Sequence, residues 1–413
     1  MYDIAVIGGG ASGFAAAVSA KQTCPQASVV ILEKMFRSGK KLAATGNGKC
    51  NLSNVDISEK NYHGSFDAMR IIGSTPHGDE YFSDVYGVLC ITGSEGRNGG
   101  LYPRSNSANT VLSAIRLKIS SLGIEEICDF DVTEIVQEKK SWKLLSKNGE
   151  IYCRRVIIAC GGYAGTAFGT DGGMLRLLKN MGYKSSKICP AVAPLKVPAE
   201  SVKGLKGVRV RGSISAVCGG KTIRTESGEI QFNENNISGI CVFNLAYLFQ
   251  KYEGKMMLKA DLFPQYDEKK LADYLFGTVF RQRGEYPVEE LLTGIFIKPL
   301  AQFIVKKCIQ KSFSSKISSL KRNDAEKLAH TIKNLEFEVT GCSSWQNAQV
   351  TMGGIISECV KDTLESELHN GIYFCGEILD VCGDCGGYNL QWAWSSGIWA
   401  GKHCAETLKG AVR

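Results

Sequence analysis

Three glycine-rich stretches carry the residue types that can do chemistry. The first, Gly8-Gly9-Gly10-Ala11-Ser12-Gly13, has GxGxxG spacing and follows the apolar run Ile4-Ala5-Val6-Ile7. It opens an alanine-rich stretch, Ala15-Ala16-Ala17-Val18, with helical character. Gly8 permits the tight turn, Gly10 lets the backbone approach a pyrophosphate, and Gly13 lets helix and strand pack closely. The free N–H groups of the helix start then face the phosphates. A second apolar run, Val29-Val30-Ile31-Leu32, ends in Glu33, twenty residues after Gly13. A carboxylate there accepts from ribose hydroxyls and repels a 2′-phosphate, so the expected dinucleotide is FAD or NAD and not NADP.

The second stretch runs from Ser38 through Gly39-Lys40-Lys41-Leu42 and Thr45-Gly46-Asn47-Gly48-Lys49 to Cys50-Asn51. A basic, glycine-rich loop so close to Glu33 can wrap a pyrophosphate and a ribityl chain with lysine charge and backbone N–H groups. Free NAD needs no such second loop. The third stretch begins with the strand-like Gly371-Ile372-Tyr373-Phe374-Cys375, ends in Gly376-Glu377, and continues to Gly383-Asp384-Cys385-Gly386-Gly387-Tyr388-Asn389-Leu390-Gln391. A glutamate at that strand end can bond polyol hydroxyls. Glycines opening a final helix offer N–H groups and a positive dipole end, which stabilises negative charge on a reduced isoalloxazine. An early nucleotide turn with a late Gly-Glu strand and helix fits a two-ended ligand, FAD.

The residues Gly39-Lys40-Lys41-Leu42 to Cys50-Asn51, with Gly386-Gly387-Tyr388-Asn389-Leu390-Gln391-Trp392-Ala393-Trp394-Ser395-Ser396-Gly397, carry a resemblance. Over nearly its whole length the chain resembles the bacterial three-domain FAD flavoproteins of the aminoacetone-oxidase-like, or NAD(P)/FAD-dependent oxidoreductase, family. That family includes a 3-dehydro-bile-acid Δ4,6-reductase. The resemblance implies an α/β fold: a glutathione-reductase-type FAD-binding Rossmann domain interrupted by a β-barrel-like domain and a helical domain. It also implies FAD contacts from Gly8, Gly10, Ser12, Gly13, Glu33, Lys34, Lys41, Thr45, Gly46 and Asn51. Further contacts are implied from Gly376, Glu377, Gly387, Asn389 and Leu390, with the backbone of Val132 against adenine. The chain departs from the family pattern at Asn233-Glu234-Asn235-Asn236, between Gly228-Glu229-Ile230-Gln231-Phe232 and Ile237-Ser238-Gly239.

The elements that must position these residues are legible as changes of texture. Residues 1–190 and 349–413 alternate strands, glycine turns and helices, as an α/β domain does. From 191 to 260, and again over 334–348, the reading is a β-barrel-like domain. There Val208, Val210, Ile214 and Ala216 alternate with polar residues, and Gly219-Gly220 supplies a hairpin turn. Residues 261–333 read as helical, through Leu271, Tyr274, Leu275 and Val279 at helical spacing. Pro287 suits a first helical position, and Asn323 with Glu326 resembles a capping box. The chain opens as a strand without a basic or apolar leader, and no apolar run reaches membrane-spanning length, so a cytoplasmic location is expected.

With 413 residues and 44% hydrophobic composition, the chain excludes a disordered or collagen-like class. Sixteen cysteines scattered over a core-rich cytoplasmic chain exclude a disulfide framework. Cys382 and Cys385 have the CxxC spacing of a redox relay, against which stands a loop of small residues. The five histidines show neither metal nor triad spacing, no G-x-S-x-G elbow occurs, and no metal is expected. The formal charge is +8, and the basic residues are mostly dispersed, with two denser patches at Lys203, Lys206, Arg209 and Arg211, and at Lys306, Lys307, Lys311, Lys316, Lys321 and Arg322. Solvated faces account for both groups, and a polyanion partner or an acidic substrate is the alternative.

The leading expectation is an FAD-dependent oxidoreductase with a small-molecule substrate. The resemblance implies NAD(P)H-driven reduction of a conjugated C=C in a steroid, bile-acid-like or other enone, or oxidation of a small amine such as aminoacetone. So many oxidisable thiols suit a low-oxygen habitat and favour the reductase. NADH or NADPH would bind transiently, since no second complete GxGxxG unit is present, and Tyr388 is the candidate proton donor. A tRNA-modifying flavoprotein is the reading from another class, though the basic stretches lack interleaved aromatics for base stacking. A non-catalytic flavoprotein would be recognised by a flavin that no nicotinamide or substrate bleaches.

Overall fold

β-Branched apolar runs too short for helices build the central sheet, because their stiff side chains pack well on a pleated surface. The structure, a computed structural model, describes residues 1–92 and 99–409. It divides into two compact units, residues 1–190 with 345–413, and residues 191–344.

In the first unit, parallel strands lie in the order Glu125–Ile127, Val29–Leu32, Tyr2–Ile7 and Gly149–Ile158, with Ile372–Phe374 on the far side of the last. Ile4 is in register with Val29, and Val156 with Ile372. The first half of Gly149–Ile158 instead pairs antiparallel with Ser141–Ser146, which pairs with Glu134–Glu138. This is the expected Rossmann-type sheet with an antiparallel meander. Its strands bury Ile4, Val6, Ile31, Ile157 and Phe374 completely.

Two helices cross on one face of this sheet, Ala11–Thr23 and Tyr388–Lys409. A Cβ on Gly397 would stand 2.4 Å from the Ser12 carbonyl oxygen, and one on Gly401 would stand 2.2 Å from that of Ala16. Only hydrogen at those two positions allows the backbones to meet. At the start of the first helix a Cβ on Gly13 would lie 1.9 Å from the Gly8 oxygen, while Gly8 itself has φ +108°. These are the roles expected of both glycines.

In the second unit Arg209–Cys218 and Lys221–Phe232 form the expected hairpin. Gly219 and Gly220 turn it with φ of 56° and 76°, values that favour glycine. The sheet runs from Leu335–Glu338 through Met257–Asp261 and the hairpin to Asn236–Ser238, Leu195–Lys196 and Gly341–Cys342. Its two ends are one continuous segment. Val339 N–H donates to Met256 O, and Thr340 N–H donates to Lys196 O, which curls the sheet into a barrel-like form. One hydrophobic cluster joins strand residues Ile214 and Leu258 to helix residues Leu271, Leu300 and Leu328. The finer division into 191–260 with 334–348 and 261–333 is our proposal from the change of sequence period.

Two local expectations are corrected. Pro287 precedes only a single turn, Val288–Glu290, and the longer helix Lys298–Cys308 carries Pro299 in its first turn instead. The last helix of this unit is Arg322–Lys333, and Asp324, not Glu326, closes its capping box by accepting from Lys321 N–H at 2.8 Å. Asparagine at 323 is therefore already inside the helix.

The helix crossing sets a test by sign. In an unconstrained helix Gly→Ala gains about 1 kcal/mol. Gly401→Ala should instead lose about 1–3 kcal/mol by overpacking, read as a lower urea midpoint. A raised midpoint would refute the crossing.

Candidate functional site

The helix Ala11–Thr23 begins at Gly10, whose N-cap position makes no side-chain capping bond. Nothing lies within 4 Å of the position a Gly10 Cβ would take. A helix start that is uncapped and open on that side suits an anionic group. Glu33 reaches back to this turn: its Oε2 accepts from Gly9 N–H and its Oε1 from Met35 N–H, each at 2.9 Å. Burial pushes the Glu33 carboxyl upward, and those two N–H bonds pull against it. Phe130 N–H donates to the Glu33 carbonyl at 2.9 Å, which brings the buried Val132 segment to the same end. Lys34 pairs with Asp171 at 3.0 Å.

The second loop forms a short helix, Lys40–Ala44, and then an unusual run in which Gly46, Asn47, Gly48 and Cys50 all have positive φ. Thr45 holds its start by donating to the Leu42 carbonyl at 2.7 Å, and Cys50 N–H returns to the Thr45 carbonyl at 3.0 Å. Asn51 follows, and its Oδ1 is buried without a hydrogen-bond partner. An orphaned acceptor of that kind is costly unless a ligand supplies a donor.

The third stretch converges on both others. Gly376 has φ +78° and sits so close to Ser12 that a Cβ would be 2.4 Å from the Ser12 Oγ. Its N–H donates to Ser396 Oγ at 2.9 Å, and Trp392 Nε1 donates to its carbonyl at 3.1 Å. Lys41 Nζ meets Glu377 Oε2 at 2.6 Å, with both side chains partly exposed. A Cβ on Gly387 would lie 2.1 Å from Ser53 O and 3.0 Å from the orphaned Asn51 Oδ1. Asn389 is spent within the loop, accepting from Gly383 N–H and donating to the Gly383 and Asp384 carbonyls. Leu390 packs half-buried against the core, and Tyr388 is 6% exposed with its ring edge-on to Tyr62. The open helix start, the positive-φ loop, the lysine and the orphaned acceptor together fit an extended ligand with phosphate and polyol groups.

Several residues of this site carry no sequence signal. Thr351 is 1% exposed; its N–H donates to Glu377 Oε1, and its Oγ1 accepts from Tyr163 and Ala164 N–H. Buried Ser53 donates to Gln391 Oε1 at 2.6 Å, and Asn54 donates to the Gly386 carbonyl at 2.8 Å. His63 Nε2 meets Asp384 Oδ1 at 3.0 Å across 321 residues of chain. Histidine spacing alone therefore missed a pair that the fold assembles.

All sixteen cysteines are free thiols. Burial pushes Cys382 well upward and Cys385 up to about 12, so neither is a thiolate near neutrality. Among the described residues no helix is long and apolar enough to cross a membrane.

Residues 2–403 match the family described as HI0933-like protein Rossmann domain. The sequence is 34% identical to a 3-dehydro-bile acid delta(4,6)-reductase of Clostridium scindens, over 98% of this chain and 100% of that one. It is 24% identical to a ribosomal RNA dihydrouridine synthase of Haemophilus influenzae, over 95% of each chain. A solved quinol-fumarate reductase with menaquinol molecules is similar in fold, with a TM-score of 0.51 and 14% identity, covering 100% of this chain and 72% of that one.

A thiol held up to about 12 is ionised to about one part in 10⁴ at pH 8. Cys385 of the folded protein should therefore resist iodoacetamide at pH 8 and react once the chain is unfolded, as read by mass spectrometry. Rapid labelling of the native thiol, or a Cys382–Cys385 disulfide, would restore the relay.

Proposed function

Because the chain belongs to the HI0933-like family, we propose that it is an FAD-dependent oxidoreductase that reduces a conjugated C=C bond. The proposed substrate is a steroid, bile-acid-like or other enone, and NADH or NADPH is the proposed transient electron donor. The observation that carries the cofactor is the meeting of the second and third stretches at the orphaned Asn51 Oδ1 and the Lys41–Glu377 pair, with Gly376 against Ser12 bringing in the first. The substrate class rests on the 34% identical relative named as a bile acid reductase.

When bound, FAD supplies two-electron hydride transfer. The chain's residues then divide the work of holding it. Backbone N–H groups at the start of Ala11–Thr23 would take the pyrophosphate, with Gly10 leaving room for its approach. Glu33 would accept from the ribose hydroxyls, next to the Val132 backbone. Lys41 and Glu377 would bond the phosphate and polyol section, fixed in turn by Thr351 N–H. The start of Tyr388–Lys409 would place a positive dipole end against developing negative charge. A proton to the α-carbon completes the reduction, and Tyr388 is the sequence-based candidate for its donor.

The relatives named as ribosomal RNA dihydrouridine synthases favour a second reading, in which the enone-like carbon pair belongs to a base in RNA. Five of the ten residues in the two basic groups are matched by carboxylates, which weighs against it. Lys203, Lys206 and Arg209 face Glu200, Glu234 and Glu229, while Lys316 and Arg322 face Glu285 and Asp273. Basic residues already matched by carboxylates form a weak phosphate track.

Anaerobic stopped-flow separates the readings. Purified yellow protein should be bleached by NADH or NADPH and then reoxidised by a steroid dienone. Bleaching by aminoacetone would make it an amine oxidase, and strongly salt-dependent RNA retention on a filter would favour the RNA reading. Protein that holds no flavin after purification and reconstitution would end the proposal. Lys41→Met should weaken FAD binding roughly tenfold to a hundredfold, the worth of a hydrogen bond to a charged group, read by flavin fluorescence titration.

A further inference from the structure

The strands Tyr62–Gly64 and Val381–Gly383 form an antiparallel ribbon in which His63 lies opposite Cys382. The ribbon runs directly into the glycine loop that opens Tyr388–Lys409. At that junction His63 Nε2 stands 3.0 Å from Asp384 Oδ1, with side-chain exposures of 15% and 3%. Asp384 is held from several directions. Its N–H donates to the Asn61 carbonyl at 2.9 Å, its carbonyl accepts from Asn389 Nδ2 at 3.2 Å, and Asn61 Nδ2 approaches its Oδ2 at 3.4 Å. A buried carboxylate so anchored fixes an imidazole's orientation and which ring nitrogen faces away from it.

The neighbouring titratable groups are poorly suited to proton exchange. Burial pushes Tyr62 upward, with Tyr388 and Asp384 adding to the shift. It also raises Cys382, beside Glu377, Asp384, Cys189 and Asp380, and Cys385, beside Asp384. Asp380 is itself pushed up by burial while Ser186 and Ser65 bond to it. Histidine is the side-chain type that exchanges protons near neutrality.

We propose that His63, and not Tyr388, delivers the proton in the reaction proposed above, with Asp384 as its positioning residue. The assignment rests on the enone-reductase reading. In the balanced step a hydride from reduced flavin forms a C–H bond at the β-carbon. The π pair of the C=C shifts toward the α-carbon and carbonyl, and an imidazolium N–H bond breaks toward the α-carbon. Flavin is oxidised, the enone gains two electrons and two hydrogens, and His63 is reprotonated from water.

The test uses holoenzymes in anaerobic stopped-flow, with the nicotinamide and dienone half-reactions measured separately. His63→Gln should slow reoxidation by the dienone at least about 100-fold while flavin reduction by nicotinamide changes less than about twofold. Added imidazole should restore reoxidation in His63→Ala, and Asp384→Asn should slow it about tenfold. Independently of turnover, ¹⁵N chemical shifts of His63 should place the proton of the neutral ring on Nε2, and Asp384→Asn should remove that preference. Reoxidation of His63→Gln at the wild-type rate overturns the proposal, as does loss of its bound flavin, which would mark a structural role. Loss of reoxidation in Tyr388→Phe alone returns the proton to Tyr388. If the bleached wild-type enzyme is not reoxidised by the dienone, the enone reading falls and this assignment falls with it.

Discussion

The crossing of Ala11–Thr23 with Tyr388–Lys409 is the constraint on which the first unit depends. Gly397 rests on Ser12 and Gly401 on Ala16, with carbonyl oxygens where side chains would otherwise stand. The two helices therefore run in the same sense and open their N-terminal ends on the same side. Each end alone is a modest dipole; the start of Tyr388–Lys409 stands about two turns beyond that of Ala11–Thr23, and the two are spaced along one glycine-lined strip. Gly376 against Ser12 and Gly387 against Ser53 extend the same close approach to the flanking loops. Substituting Gly387, Gly397 or Gly401 would push apart backbone segments whose spacing is the site, and a side chain on Gly376 would displace the Ser12 hydroxyl.

Around that strip the protein spends its buried polar groups on one another with little left over. Thr351 joins Glu377 to the Tyr163–Ala164 turn, Glu377 holds Lys41, and Ser53, Gln391 and Ser395 form a buried chain. Two buried side-chain atoms stand without a partner among the described residues, Asn51 Oδ1 and His403 Nε2. The first lies beside Gly387 in the site, and the second is on the far part of the final helix. A satisfied network rigidifies its surroundings, so an isolated exception marks where a ligand would complete it.

Much of this architecture was legible because it is written in short-range pattern. The Gly8–Gly13 turn, Glu33 at its strand end, and the Gly219-Gly220 hairpin each depend on neighbours a few residues away. Near Asn323 the expected helix does start, one residue early at Arg322, and only the capping carboxylate differs, Asp324 in place of Glu326. Pro287 opens only the turn Val288–Glu290 although Val288 and Leu291 are buried, so a proline at a favourable position does not by itself set a helix's length. The His63–Asp384 pair and Thr351 left no trace in the sequence pattern, since their partners are hundreds of residues away or are backbone groups. Periodicity reports which face is buried and is silent about which distant side chains meet there.

The strand pairing at the ends of the second unit has a kinetic consequence. Leu195 is in register with Cys342, and Lys196 with Gly341, so that unit leaves and re-enters its host through adjacent strands. Once it has folded, the chain between Ile158 and Ile372 behaves as a much shorter tether for the parallel pairing of those strands. Loop-closure entropy falls by about 0.6 kcal/mol for each halving of the effective tether. Early folding of the insert would thus hasten docking of the last strand and helix, the step that completes the glycine-lined strip during synthesis.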